Sequence, residues 1–139
     1  MLIGEYEHTI DIKGRVIVPS KFREDLSDLF YLSKGLDKCL FVFSKKEWVK
    51  LQHKITSIPI SKSHGLQRFF FSGAVEAIVD KQGRMLIPQV LRNFASLEKE
   101  ISFIGASSRA EIWDRSRWKE ISNSLTDETI KQAMDLLDL

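Results

Sequence analysis

The chain has 139 residues, 43% of them apolar and 29% charged, with a net charge of +2, the composition of an ordinary globule built as one domain or as two small halves sharing a core. So small a net charge does not by itself point to nucleic acid, no apolar run approaches the ~20 residues that span a bilayer, and Glu5 and Glu7 arrive too early for a signal peptide. The single Cys39 cannot form an intrachain disulfide and fits a reducing compartment, so a cytoplasmic location is expected.

Residues 5–12 alternate loosely and are followed by a turn and by Arg15-Val16-Ile17-Val18, rich in β-branched residues, which is a hairpin signature. Pro19 ends the strand, because it has no N–H for a ladder, and suits the first turn of a helix. A helix over 20–26 places Phe22 and Leu26 on one face. Two strand-like runs, 29–32 and 40–43, flank Gly35-Leu36-Asp37-Lys38, and Cys39 beside the second reads as a buried core thiol. Ser44-Lys45-Lys46-Glu47 is a capping box. It opens a helix with Trp48, Leu51 and Ile55 inward.

Ile58-Pro59-Ile60 reads as extended. A helix over 63–72 then carries Leu66, Phe69 and Phe70 as its apolar stripe, with Gly73 as its stop. Phe69-Phe70-Phe71 is apolar nearly all round, which predicts burial between the two halves or at a subunit contact. Strands at 75–79 and 85–87, a helix near 89–95, strands at 101–104 and 111–113 and a helix led by Asp114 follow. The tail offers Thr126 as N-cap, Asp127 and Glu128 in the first turn, and a stripe of Ile130, Met134 and Leu137. Such a helix packs on its own chain or on a neighbour.

The same order, β-β-α-β-β-α, thus occurs twice, and the chain carries an internal repeat. At an offset of 69, residues 11–26 and 80–95 share Asp-x-x-Gly-Arg-x-x-x-Pro-x-x-x-Arg, so that Asp11, Gly14, Arg15, Pro19 and Arg23 fall on Asp80, Gly83, Arg84, Pro88 and Arg92. Upstream, Glu7 falls on Glu76. Downstream the offset becomes 70, which places Gly35 on Gly105, Phe43 on Trp113 and Trp48 on Trp118. The organisation expected is a first unit at 5–50, a connecting segment with a helix at 51–73, a second unit at 74–120 and a helical tail at 121–139. Neither unit buries enough apolar surface to stand comfortably alone, so the two are expected to pack together.

Asp11-Ile12-Lys13-Gly14 and Asp80-Lys81-Gln82-Gly83 fit a type I turn with Asp first and Gly last, followed by a left-handed glycine, the common three-residue hairpin loop. Gly14 and Gly83 supply the positive φ. Asp11 and Asp80 build the loop and face Arg15 and Arg84 across it. Turn chemistry does not explain the arginines. A cross-strand ion pair is worth only ~0.2–1 kcal/mol, and such a weak pair seldom needs repeating. The alternative is that each Asp holds a guanidinium aimed outward, at a phosphate or a guanine edge. Lys13 at the first loop and Lys81 at the second add unequal positive charge. Arg23 and Arg92, on the short helices, read as solvated or capping residues.

Several strings together resemble the MraZ family of bacterial transcriptional regulators: Glu5-Tyr6-Glu7-His8-Thr9-Ile10-Asp11, Lys13-Gly14-Arg15, Pro19-Ser20-Lys21-Phe22-Arg23, Gly35-Leu36-Asp37, Cys39-Leu40, Glu47-Trp48, Arg68-Phe69-Phe70-Phe71-Ser72-Gly73-Ala74, Asp80-Lys81-Gln82-Gly83-Arg84 and Glu111-Ile112-Trp113 with Trp118. The resemblance covers residues 1–121 in order. It implies an α+β, mostly β fold: an internally duplicated swapped-hairpin β-barrel of the AbrB-like (SpoVT) kind with short helices. It implies a homo-oligomer, a ring, that binds double-stranded DNA at short direct repeats in the promoter of the division and cell-wall gene cluster, its own gene included, and a place with the nucleoid. It assigns DNA contact to Arg15 and Arg84 within their Asp-x-x-x-Arg motifs. Ile12 departs from the pattern, since relatives often carry a second polar residue there.

The competing reading is a non-enzymatic oligomeric scaffold, or an antitoxin-like module that binds protein, since related folds occur in antitoxins. An enzyme is the weakest reading. His8, His53 and His64 are too far apart for a local metal motif, no nucleophile–base signature is visible, and each Gly-Arg turn has one glycine where a phosphate cradle needs several. No cofactor, metal, membrane or small-molecule substrate is expected.

Overall fold

The computed structural model describes residues 1–138. It is an α+β structure with eight strands: β1 (Glu5–Thr9), β2 (Arg15–Ile17), β3 (Leu29–Lys34), β4 (Leu40–Ser44), β5 (Val75–Ile78), β6 (Arg84–Leu86), β7 (Glu100–Gly105) and β8 (Ala110–Asp114). Its α-helices are α1 (Ser20–Leu26), α2 (Lys45–Thr56), α3 (Ile60–Gln67), α4 (Gln89–Phe94), α5 (Arg115–Asn123) and α6 (Asp127–Met134). The β-β-α-β-β-α order expected for each repeat is present in both.

Six strands form one antiparallel sheet in the order β1-β7-β8-β4-β3-β5, and β2 pairs with β6 in a separate ribbon. Exchanging the repeats leaves this order unchanged. The register carries the same symmetry: Val16 faces Met85 in the ribbon and Phe41 faces Glu111 at the sheet centre, each residue opposite its own counterpart in the other repeat. The local hairpin expected of β1 and β2 is therefore not a ladder. β1 pairs with β7 and β2 with β6, so the two arms leave the tight turn for partners in the other repeat. Alternation along a strand fixes which face is buried, but it carries no information about which strand lies alongside.

The register also corrects the alignment by one position. Phe30 pairs with Ser44 and Ile101 with Asp114, so Lys34, not Gly35, occupies the place of Gly105 at the end of its strand. Two residues are gained before β7, and the β7–β8 connection is one shorter than the β3–β4 connection, where Asp37 and Lys38 have positive φ. Gly35 stays buried beside Phe41, where any Cβ would lie 2.6 Å from that ring.

Two apolar clusters sandwich the sheet. The larger joins Val16 and Met85 from the buried side of the ribbon to Phe22 and Leu91 from α1 and α4 and to Phe30, Leu32, Leu40, Val42, Phe103 and Ile112 from the sheet. The smaller lies on the other face: Cys39, Phe41, Phe43, Ile104 and Trp113, flanked by Trp48, Leu51, Phe70, Trp118 and Ile121. The continuous apolar run of β4 reflects this, because both of its faces are buried. Neither repeat owns a core of its own.

Ser44, Asp114 and Thr126 each accept a hydrogen bond from the N–H three residues on, and so cap α2, α5 and α6 as their sequence positions predict. The connecting helix differs from expectation. It starts at Ile60 directly after Pro59, and Ser63 lies buried inside it, its hydroxyl donating to the Ile58 carbonyl at 3.1 Å. From Arg68 to Ser72 the chain widens into a π-helical turn, and Gly73 has φ −90, so it is not a left-handed stop. Leu66 is exposed and Phe69, Phe70 and Phe71 are only half-buried, not enclosed between the repeats. Among the described residues no helix is long and apolar enough to cross a membrane.

Candidate nucleic-acid interface

Both Asp-x-x-Gly-Arg segments fold into the same turn. The N–H of Gly14 donates to the Asp11 carbonyl at 3.0 Å and the N–H of Asp11 to the Arg15 carbonyl at 2.8 Å; Gly83, Asp80 and Arg84 repeat both bonds at the same distances. Gly14 has φ 85 and Gly83 φ 81, in the left-handed region that lacks a penalty only for glycine. The carboxylates finish the loop from within. Asp11 Oδ1 accepts from the backbone N–H of Lys13 and of Arg15, both at 2.9 Å. Asp80 Oδ1 accepts from Gln82 and Arg84 in the same way.

The second oxygen of each carboxylate holds an arginine. Arg15 Nε donates to Asp11 Oδ2 at 2.8 Å, and Arg84 Nε donates to Asp80 Oδ2 at 3.0 Å. The backbone N–H of the arginine is the leading reason that each carboxyl is held below its usual range, with the arginine side chain and the next loop N–H adding to it. Each Asp therefore stays ionised at neutral pH. Because Nε is the atom engaged, neither Nη of Arg15 or Arg84 has a hydrogen-bond partner among the described residues, and the double-donor end of each guanidinium stays open.

The ribbon places these two ends together. Val16 and Met85 point inward and are buried, so Arg15, Ile17, Arg84 and Leu86 share the outer face. Arg15 lies opposite Leu86 and Arg84 opposite Ile17. The two arginines are thus diagonal neighbours, with Cα atoms ~7–8 Å apart by ordinary sheet geometry. Ile17 and Leu86, about half exposed, stand beside them. Lys13 and Lys81 are exposed at the turns, while Ile12 is 99% exposed at the position that Lys81 fills in the other repeat. Such a ribbon has the cross-section that a B-DNA major groove admits, and an arginine with a free Nη pair is the commonest donor to a guanine edge there.

Arg23 is exposed, as expected of a solvated residue, whereas Arg92 is half-buried and bonded, and both reach the turn of the other repeat. A Cβ built on Gly14 would lie 2.8 Å from Arg92 Cζ, and one on Gly83 2.7 Å from a terminal nitrogen of Arg23. Each turn is backed by the last arginine of the other repeat's motif. Arg92 is anchored there by Nε donating to the Ile87 carbonyl at 2.9 Å. The signal for this role was their inclusion in the repeated motif; what the sequence lacked was the crossing of the repeats.

Cys39 and His8 take structural places. Burial first, and then the Glu111 carboxylate, push the Cys39 thiol up to about 12. Burial and the Arg115 charge lower the pKa of His8, whose ring meets Phe103 edge-on. Among the described residues no group of three or more His, Cys, Asp or Glu is placed to hold a metal ion.

Against known proteins, the sequence matches the family described as "MraZ protein, putative antitoxin-like" over residues 1–66 and 70–138. It is 51% identical over 140 residues to a protein of a Thermoanaerobacter species and 52% identical over 140 residues to one of Caldanaerobacter subterraneus, in each case across 99% of this chain and 97% of the relative. It is 50% identical over 143 residues to a protein of Acetivibrio thermocellus, over the full length of both. All three relatives carry the name transcriptional regulator MraZ, the name of a regulator and not of an enzyme.

Proposed function

This chain belongs to the MraZ family, and from that membership we propose that it is a transcriptional regulator that binds DNA in a sequence-specific way through Arg15 and Arg84. The observation that carries the reading is the doubled guanidinium on one exposed ribbon face, each held through Nε by its own loop carboxylate with its Nη end open. A fixed fork loses little freedom on binding and suits the two acceptors of a guanine edge. Lys13 and Lys81 supply phosphate attraction from the turns, which adds affinity and salt dependence without sequence information.

The finer reading follows the resemblance. The exchange of arms between repeats is read as a swapped hairpin, with the ribbon closing the open side of the sheet into a barrel. The protein is read as acting in the cytoplasm, at the nucleoid, as a homo-oligomeric ring. Its target is read as short direct repeats in the promoter of the division and cell-wall gene cluster and of its own gene. A net charge of only +2 per chain is compatible with tight binding when several ribbons engage one duplex, because linked weak contacts multiply.

Footprinting on the DNA upstream of its own gene tests the reading. Regularly spaced protected repeats, lost as salt rises, are expected. The absence of any salt-sensitive protection would favour the other reading, a scaffold or antitoxin-like module that engages protein. The family's antitoxin-like description and the apolar Ile17 and Leu86 beside the arginines keep that reading in play.

A further inference from the structure

Two complementary features lie at the surface of the single chain. One is α6 with the 3-10 turn that follows it (Asp135–Leu137): Met134, Leu136 and Leu137 are exposed and only Ile130 is half-buried, although Ile130, Met134 and Leu137 are spaced to form one apolar stripe. A helix of this length is not stable in water by propensity alone and needs a surface to pack on. The other is a groove of about 210 Å³ on the second face of the sheet, with the buried Phe41 at its base, the half-buried Leu51 and Phe70 as its walls, and Lys50, Lys54 and Arg109 at its rim. Phe41 and Phe70 stack there with centroids 6.4 Å apart, and the Arg109 guanidinium lies 4.6 Å from the Phe41 ring.

The charges match as well. Residues 127–138 hold Asp127, Glu128, Asp135 and Asp138 against Lys131 alone, whereas α2 along the groove holds Lys45, Lys46, Lys50 and Lys54 against Glu47 alone. Position in the repeat sharpens the contrast. Helix α3, which follows α2, joins a π-helical turn that sets Phe70 and Phe71 against Phe41 and Trp48. Helix α6 follows α5 in the same way, yet leaves its stripe bare.

We propose that the C-terminal helix of one chain seats in the Phe41–Phe70 groove of a second copy, its acidic residues meeting the lysines of α2. The contact is heterologous, with a different patch on each side, and repeated head-to-tail it closes a ring or runs on as a filament. The inference deepens the oligomer named in the proposed function and concerns assembly alone.

Light scattering on the full chain without DNA tests it. The wild type is expected to be a multiple of the chain mass, and Ile130→Asp/Met134→Asp, with its helical and β circular dichroism retained, is expected to fall to one chain. A wild type that runs as a single chain, or a variant that keeps the wild-type mass, overturns the proposal. Lys50→Glu/Lys54→Glu is expected to disassemble too, and Asp127→Lys/Asp135→Lys added to it to restore the mass; no restoration overturns the charge match. Mixing a Met134→Cys chain with a Lys54→Cys chain under a thiol cross-linker is expected to give the mixed dimer, since Cys39 is buried and does not compete. Cross-linking found only inside a chain bearing both substitutions would show α6 folding back on itself, and would overturn the second-copy assignment. DNA binding by a single chain would survive each of these failures, so the two readings fail separately.

Discussion

The guanidinium of Arg92 occupies the space that a side chain at Gly14 would need: a Cβ there would lie 2.8 Å from Arg92 Cζ. Gly14 is therefore required for its φ of 85, and a side chain there would in addition make the Arg92 guanidinium shift. Gly14→Ala is expected to destabilise the fold by ~1–3 kcal/mol, combining a left-handed penalty with the displacement of Arg92. Chemical denaturation of Gly14→Ala, Arg92→Ala and the double variant checks the coupling. The double is expected to cost clearly less than the two singles together; simple additivity would mean that the arginine does not back the turn.

Asp11→Asn separates building the loop from holding the arginine. Asn can still accept the two backbone N–H bonds but loses the ion pair to Arg15. The turn is expected to persist, and affinity for the specific DNA to fall several-fold, by a retardation assay, as the arginine fork loses its anchor.

The Asp11 and Asp80 carboxyls are held low in the folded protein, chiefly by the backbone N–H of Arg15 and of Arg84. A depressed carboxyl pKa contributes stability that is fully present above the unfolded-state value and is lost as pH falls through the folded one. Wild type and Asp11→Asn are thus expected to differ in stability at neutral pH and to converge in acid below the ordinary carboxylate range. A gap that widened on acidification would contradict the sign. A carboxyl titration by NMR should place both groups below the usual Asp value.

The Cys39 thiol, pushed up to about 12 by burial and the Glu111 carboxylate, is expected to ignore a thiol-specific reagent in the native protein at mildly alkaline pH and to react fully in denaturant. Fast native reaction would show that the Phe41 side of the sheet opens.

What was legible in the sequence was local. Ser44, Asp114 and Thr126 cap helices because a short polar side chain reaches the N–H three residues on, and that is a property of a few adjacent residues. The Asp-x-x-Gly turns were legible for the same reason. The pairing of β1 with β7 and of β2 with β6 was not, since period-two alternation marks a face and names no partner. Arg23 is exposed, as a solvated arginine should be, but its closeness to Gly83, like the anchoring of Arg92 beside Gly14, depends on the crossing of the repeats and is not written in either repeat alone. The one-residue slip that set Gly35 on Gly105 arose in the same way, from matching identities where the strand register had shifted. Helix α3 begins at Ile60 and not at Ser63, because Pro59 opens the helix where the sequence reads as extended, and Ser63 is buried within it with its hydroxyl turned back to the Ile58 carbonyl.

Arg15→Ala, Arg84→Ala and the double variant, measured side by side on the upstream direct repeats and on scrambled DNA of the same length, test the central claim most directly. Each single variant is expected to lose specific affinity by ~1–3 kcal/mol per engaged ribbon. The double should bind both DNAs alike, with the residual salt dependence that Lys13 and Lys81 supply. A double variant that still prefers the repeats as the wild type does would contradict the assignment of sequence recognition to these two arginines.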